Sequence, residues 1–249
     1  MIPLSVSIDG LETIKARLIG KQKQIPYAAS RALNTLAFSA NADIKTEMQR
    51  VFKGGATPYT LRAFKVDKAT KEILVAMVSL RTDTPNGGTA YTKALSHLFT
   101  GGTREWKRIE GLLRGLALIP AGMMIVPGAA CPLDSRGNMR KSALDELLGV
   151  IRANVRNLRV FRRAGKTSKQ QKGIGYFVIL PGDKTHLQPG IWKRIETGSG
   201  SVVKPMILYV RRGHWNQFID LQKIGTAVVG RLWQAEFDRE LANAMASAR

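Results

Sequence analysis

Between Pro26 and Phe52 small and apolar residues return every three or four positions: Ala29, Ala32, Leu33, Leu36, Ala40, Ile44, Met48 and Val51. That spacing places them on one face of a long helix, and the alanines let a neighbouring element approach closely. Pro26 suits the first turn, where its missing N–H leaves no bond unmade. A second helical pattern runs from about Trp215, with Phe218, Leu221, Ile224, Val228 and Leu232 at similar intervals.

The segments between these helices read as a mixture of short elements. Leu4 to Ile8 alternates in strand fashion, and Asp9 caps a helix from near Gly10 that carries Leu11, Ile14 and Leu18 on one face. Thr57-Pro58 caps a short helix through Leu61 to Phe64, and Ile73 to Val78 is β-like. Asp83 to Thr89 is a loop. Helical patterns cover Tyr91 to Phe99 and Arg104 to Leu116, separated by Gly101-Gly102. Leu116 to Val126 is a strand or a buried connection, Cys131 to Asn138 is rich in turn residues, and a helix starts near Ser142. Tyr176 to Leu180 is a strand. His186 to Val210 forms two extended runs joined by Thr197-Gly198-Ser199-Gly200-Ser201, the pattern of a hairpin.

The expected architecture is α+β: one domain over residues 1–249, with a small mixed β-sheet packed by a long N-terminal helical arm and a C-terminal helix. Residues 1–52 form the N-terminal strand and arm, 152–173 a basic extension, and 174–249 the C-terminal hairpin and helix. With 249 residues and 44% apolar side chains, the chain can bury a substantial core.

Charge narrows the function. The chain holds 39 Lys+Arg against 18 Asp+Glu, a net +21, with a pI near 10.6. Such self-repulsion is best tolerated beside a polyanion, nucleic acid first and an acidic protein neighbour second. The excess is concentrated from Leu147 to Gly182, which has no acidic residue and carries Arg152, Arg156, Arg159, Arg162, Arg163, Lys166, Lys169 and Lys172. Arg152, Arg156, Arg159 and Arg163 follow each other at four-, three- and four-residue steps, which on a helix makes one face of guanidiniums. These eight residues are the candidate nucleic-acid contacts, reading phosphate and not base sequence.

Catalytic patterns are weak. Gly165-Lys166-Thr167 lacks the earlier glycine of a phosphate loop, since Val160 stands there. Asp134, Asp183, Glu196 and His186 could be drawn into a metal-dependent nuclease site, but their spacing does not demand one. One cysteine, Cys131, and three histidines offer neither a disulfide nor a soft-ligand metal site. No catalytic residue, metal or cofactor is expected. The sequence also shows no export signal and no membrane span.

Several short motifs carry a resemblance. Ser30-Arg31-Ala32-Leu33-Asn34, Thr57-Pro58-Tyr59-Thr60-Leu61-Arg62 and Lys68-Ala69-Thr70-Lys71 resemble the N-terminal half of phage tail completion proteins of the minor tail protein Z type. His97 to Gly102, Pro127-Gly128, Leu133 to Asn138 and Pro189 to Arg194 look like motifs of related prophage proteins. The resemblance implies a structural virion protein that completes the head-proximal end of the tail and is assembled in the host cytoplasm. It would form a homo-oligomeric ring and meet the tail terminator, tail tube, tape measure or head–tail connector, with genome DNA in the lumen. Trp192, Lys193, Arg194 and Met123 are the candidate subunit-interface residues, with plain core the alternative for Trp192. A stand-alone, sequence-independent nucleic-acid-binding protein and a metal-dependent nuclease are the rival readings.

Overall fold

A computed structural model of the chain describes residues 3–6, 24–83, 89–153, 160–162, 174–197 and 200–247. The helix expected near Gly10, the tip of the loop after Asp83, and the expected sites Arg156, Arg159, Arg163, Lys166, Lys169 and Lys172 lie outside the described residues. The α+β class is observed. The chain divides into two compact units, Met1–Gly102 with Trp215–Arg249, and Thr103–His214. The reading of one domain around one mixed sheet gives way to two units, each with its own core and its own sheet.

The first unit contains β1 (Pro3–Val6), α1 (Gln24–Val51), the one-turn helix α2 (Pro58–Leu61), β2 (Phe64–Asp67), β3 (Ala76–Leu80), α3 (Tyr91–Thr100) and, after the second unit, α6 (Leu221–Ser247). Its sheet has the order β1-β3-β2 and is antiparallel throughout. Phe64, expected as the end of a helix, opens β2, because α2 closes at Arg62 and Ala63 is already turning. Ala28, Ala29 and Ala32 of α1 are buried with Phe237 and Ala244 near the end of α6, and Leu36, Ala40 and Ile44 share a core with Leu221 and Val228 near its start. The two helices are therefore antiparallel neighbours, and the alanines expected to permit a close approach line that seam. Asp43 pairs with Arg231 at 2.9 Å and Arg31 with Glu240 at 2.7 Å along it. The C-terminal helix starts at Leu221, later than Trp215, since Trp215 exchanges two backbone bonds with Gly102, each 2.9 Å. That pair brings together the points where the chain leaves and re-enters the first unit.

The second unit contains α4 (Arg108–Gly115), β4 (Met123–Pro127), α5 (Lys141–Ala153), β5 (Val160–Arg162), β6 (Ile174–Ile179), β7 (Gly190–Thr197) and β8 (Gly200–Arg211). The five strands form one antiparallel sheet in the order β4-β8-β7-β6-β5. Ile125, Tyr176, Val178, Ile191, Ile207 and Tyr209 bury one face of it against Leu113, Leu147 and Ile151 of the helices. Glu110, fully buried, fixes α4 to the sheet: it accepts two bonds from Arg104 at 2.6 and 2.9 Å, and the N–H groups of Lys107 and Ile125 at 2.7 and 3.0 Å. Burial pushes its carboxyl upward, but Arg104 and the two N–H groups outweigh this and hold it below the ordinary glutamate range.

Candidate functional site

The β7–β8 hairpin is shaped by one proline. Pro205 has no N–H to give to a ladder, and strand interiors accept proline at bulges. Here the pairing runs Ile191 to Ile207 and then Trp192 to Pro205, so Met206 is the extra residue. The bulge turns Met206 and Ile207, consecutive in sequence, both into the core, at 1% and 0% exposure. Two glycines make room. A Cβ on Gly190 would stand 2.3 Å from the carbonyl oxygen of Ile207, and one on Gly128 the same distance from that of Pro205. Gly128 and Ala130 donate their N–H groups to Met206 and Pro205.

Beyond the bulge the pairing is regular, and it sets Lys193 directly opposite Lys204, Arg194 opposite Val203, and Thr197 opposite Gly200. Residues paired across an antiparallel ladder lie on the same face, so the two lysine side chains leave the sheet side by side here. Lys193 lies 5.7 Å from the centre of the Tyr176 ring, and Tyr176 donates its O–H to Glu146. On the other face the exposed Arg194 guanidinium lies 5.5 Å from the Phe177 ring. Gly200, Ser201, Val202 and Lys204 are exposed. Among the described residues, neither lysine nor Arg194 is ion-paired with a carboxylate.

The wider electrostatics favour this unit. Thr103–His214 holds 21 Lys+Arg against 7 Asp+Glu, a net +14, whereas the remainder holds 18 against 11, a net +7. Its carboxylates are largely engaged: Glu110 with Arg104, Asp145 with Lys141, and Glu146 with Tyr176. Asp134 accepts the N–H groups of Arg136 and Asn138, and Asp183 that of Leu180. The bond from Asn138 above all, then that from Arg136, holds the Asp134 carboxyl below its ordinary range. These two aspartates, weighed above as nuclease ligands, thus organise their own turns. Among the described residues no three His, Cys, Asp or Glu side chains converge as a metal site would require.

The expected arginine face is not one helix. Arg152 is exposed near the end of α5, but Val160–Arg162 is a strand paired with Gly175, Tyr176 and Phe177. A helical register therefore does not run from 152 to 163. Trp192, expected as a subunit-interface residue with core as the alternative, is 8% exposed and donates its indole N–H to the carbonyl of Gln188 at 2.9 Å. Met123 pairs with Arg211 at the start of β4 and packs on the second unit's core. Lys204 was not singled out by the sequence, although pairing the two runs outward from the Gly/Ser turn reaches it opposite Lys193.

Two further cations, Arg114 and Arg212, gather on Trp106 in the segment before α4. Arg212 donates to the carbonyl of Arg104 at 2.7 and 3.2 Å, and the Arg114 and Arg212 guanidiniums lie 4.2 and 4.7 Å from the centre of the Trp106 ring. These contacts hold the two ends of the unit's chain together. No family model, curated protein or solved structure matches this chain. Among the described residues no helix is long and apolar enough to cross a membrane.

Proposed function

We propose that this chain is a structural virion protein that completes the head-proximal end of a phage tail and joins the tail tube or terminator to the neck as one copy of a ring. The observation that carries the reading is where its motifs fall. Asn34, in the first motif, bonds both backbone groups of Ala69, in the third. Thr57 caps α2, Gly101 and Gly102 adopt positive φ beside Trp215, and Asp134 closes its own turn. Gly128 and Gly190 admit the bulged strand. A likeness carried by residues that close backbone is a likeness of architecture, and a joining protein must preserve architecture. The reading involves no catalysis and no cofactor. Its partners are the tail terminator, tail tube, tape measure and head–tail connector, and its location is the virion.

The net +14 of the second unit favours a second reading, a stand-alone protein that binds nucleic acid without regard to sequence. The two are separated by where the protein is found. Mass spectrometry of purified particles should detect the chain in a fixed ratio to tail proteins if it is a virion component. Its absence from particles, with the protein present in the infected cell, would favour the stand-alone reading.

A further inference from the structure

We propose that Trp106, Lys107, Arg114 and Arg212 of the second unit form a binding site for a phosphate dianion, either the free ion or a phosphate monoester. Both guanidiniums lie over the one indole ring, at 4.2 and 4.7 Å from its centre, and the ring and both arginines are half-buried. Each cation is attracted to the ring, but two cations on one ring repel each other. The carboxylates of this segment do not offset them. Glu110 is spent on Arg104 and on the N–H groups of Lys107 and Ile125, while Glu105 is exposed and, among the described residues, pairs with no cation.

Three features select a phosphate. The Arg114 guanidinium makes no hydrogen bond among the described residues, and its Nη1 is buried. Buried donors are rarely left unbonded, and an oxyanion supplies the acceptors. Arg212 gives its Nε and Nη2 to the Arg104 carbonyl, which fixes the plane of its fork beside the ring and leaves Nη1 unbonded. Guanidinium forks held in this way match the oxygens of a phosphate two at a time. Lys107, next to Trp106 in the chain, adds a third cation: burial first, and then the Arg104 guanidinium, hold its ammonium below the ordinary lysine range, and Glu110 offsets this only in part. Three positive charges thus stand at one ring with no carboxylate among the described residues bonded to any of them. A phosphate monoester, at about −1.5 to −2 near pH 7, answers that concentration better than a carboxylate or a single phosphodiester.

The site is a property of the purified chain and does not rest on the virion reading. The full-length protein is titrated calorimetrically near neutral pH with inorganic phosphate, with glycerol phosphate and with acetate, at one ionic strength held by sodium chloride. Phosphate should bind more tightly than acetate, and Arg114→Gln should weaken it about tenfold or more, the loss of a charge-assisted bond. Arg114→Lys, which keeps the charge and loses the fork, should recover only part of this. Lys223→Gln, which removes one exposed positive charge from α6 in the first unit, should leave phosphate affinity unchanged. Glycerol phosphate binding that depends on Arg114 assigns a monoester, and inorganic phosphate binding alone assigns the free ion. Phosphate no tighter than acetate, or equal losses in Arg114→Gln and Lys223→Gln, would overturn the proposal. Should Arg114→Gln fail to fold, Lys107→Gln decides by the same titration: unaltered phosphate affinity rejects the site.

Discussion

Asn34 holds the backbone of Ala69 at two points: its Oδ1 accepts the Ala69 N–H at 2.7 Å, and its Nδ2 donates to the Ala69 carbonyl at 3.1 Å. The side chain thereby ties the middle of α1 to the connection between β2 and β3. Ala69 is nearly buried, so water does not readily replace the amide. Asn34→Ala should cost about 1–3 kcal/mol in urea unfolding, the usual penalty for buried polar groups left unpaired. Asn34→Asp, which can accept but not donate, should lose part of this.

The buried Glu110 makes the second unit sensitive to acid. Its carboxyl is held below the ordinary value of 4.5, so its stabilisation is present above that pH and is lost as the pH falls through the lower, folded value. Unfolding followed from neutral pH to below pH 4 should show this loss, and Glu110→Gln should weaken the dependence. Glu110→Ala leaves Arg104 and two N–H groups without their acceptor. It should cost about 3–5 kcal/mol at neutral pH, the range for breaking a buried pair from one side.

The helices were the most legible part of the sequence, because α1 states its buried face in a run of local spacings. The larger arrangement was not local. Met123 pairs with Arg211, far along the chain, and the Gly102–Trp215 bonds that separate the units join residues with no shared motif. The arginine spacing from Arg152 onward satisfied a helical period, yet the ladder of β5 with β6 claims Val160–Arg162. Periodicity reports what a segment could do alone, and sheet pairing overrode it. The hairpin was legible as a hairpin. The Pro205 bulge, which decides which of its residues face inward, is a mismatch between the two paired strands that the alternation of neither run shows by itself.

Trp192 tests that last point. With its ring buried and its N–H bonded to Gln188, Trp192→Ala should destabilise the second unit by about 3–5 kcal/mol, read as an earlier denaturant midpoint. Full stability with loss of joining would restore it to the subunit interface.

Gly190 and Gly128 offer a backbone test. Each approaches a carbonyl of the bulged strand so closely that a Cβ, at 2.3 Å, forces the strands apart. Gly190→Ala and Gly128→Ala should each destabilise the second unit by about 1–3 kcal/mol or more. Gly111→Ala, with open space around its Cβ position, should be tolerated and serves as the control.

The central claim is that this protein joins, and particle counting tests it most directly. In an infection lacking the chain, electron microscopy should show filled heads and finished tail tubes lying apart, and adding the purified wild-type protein to the extract should restore joined particles. Joined, infectious particles at the normal count in the absence of the protein would contradict the account.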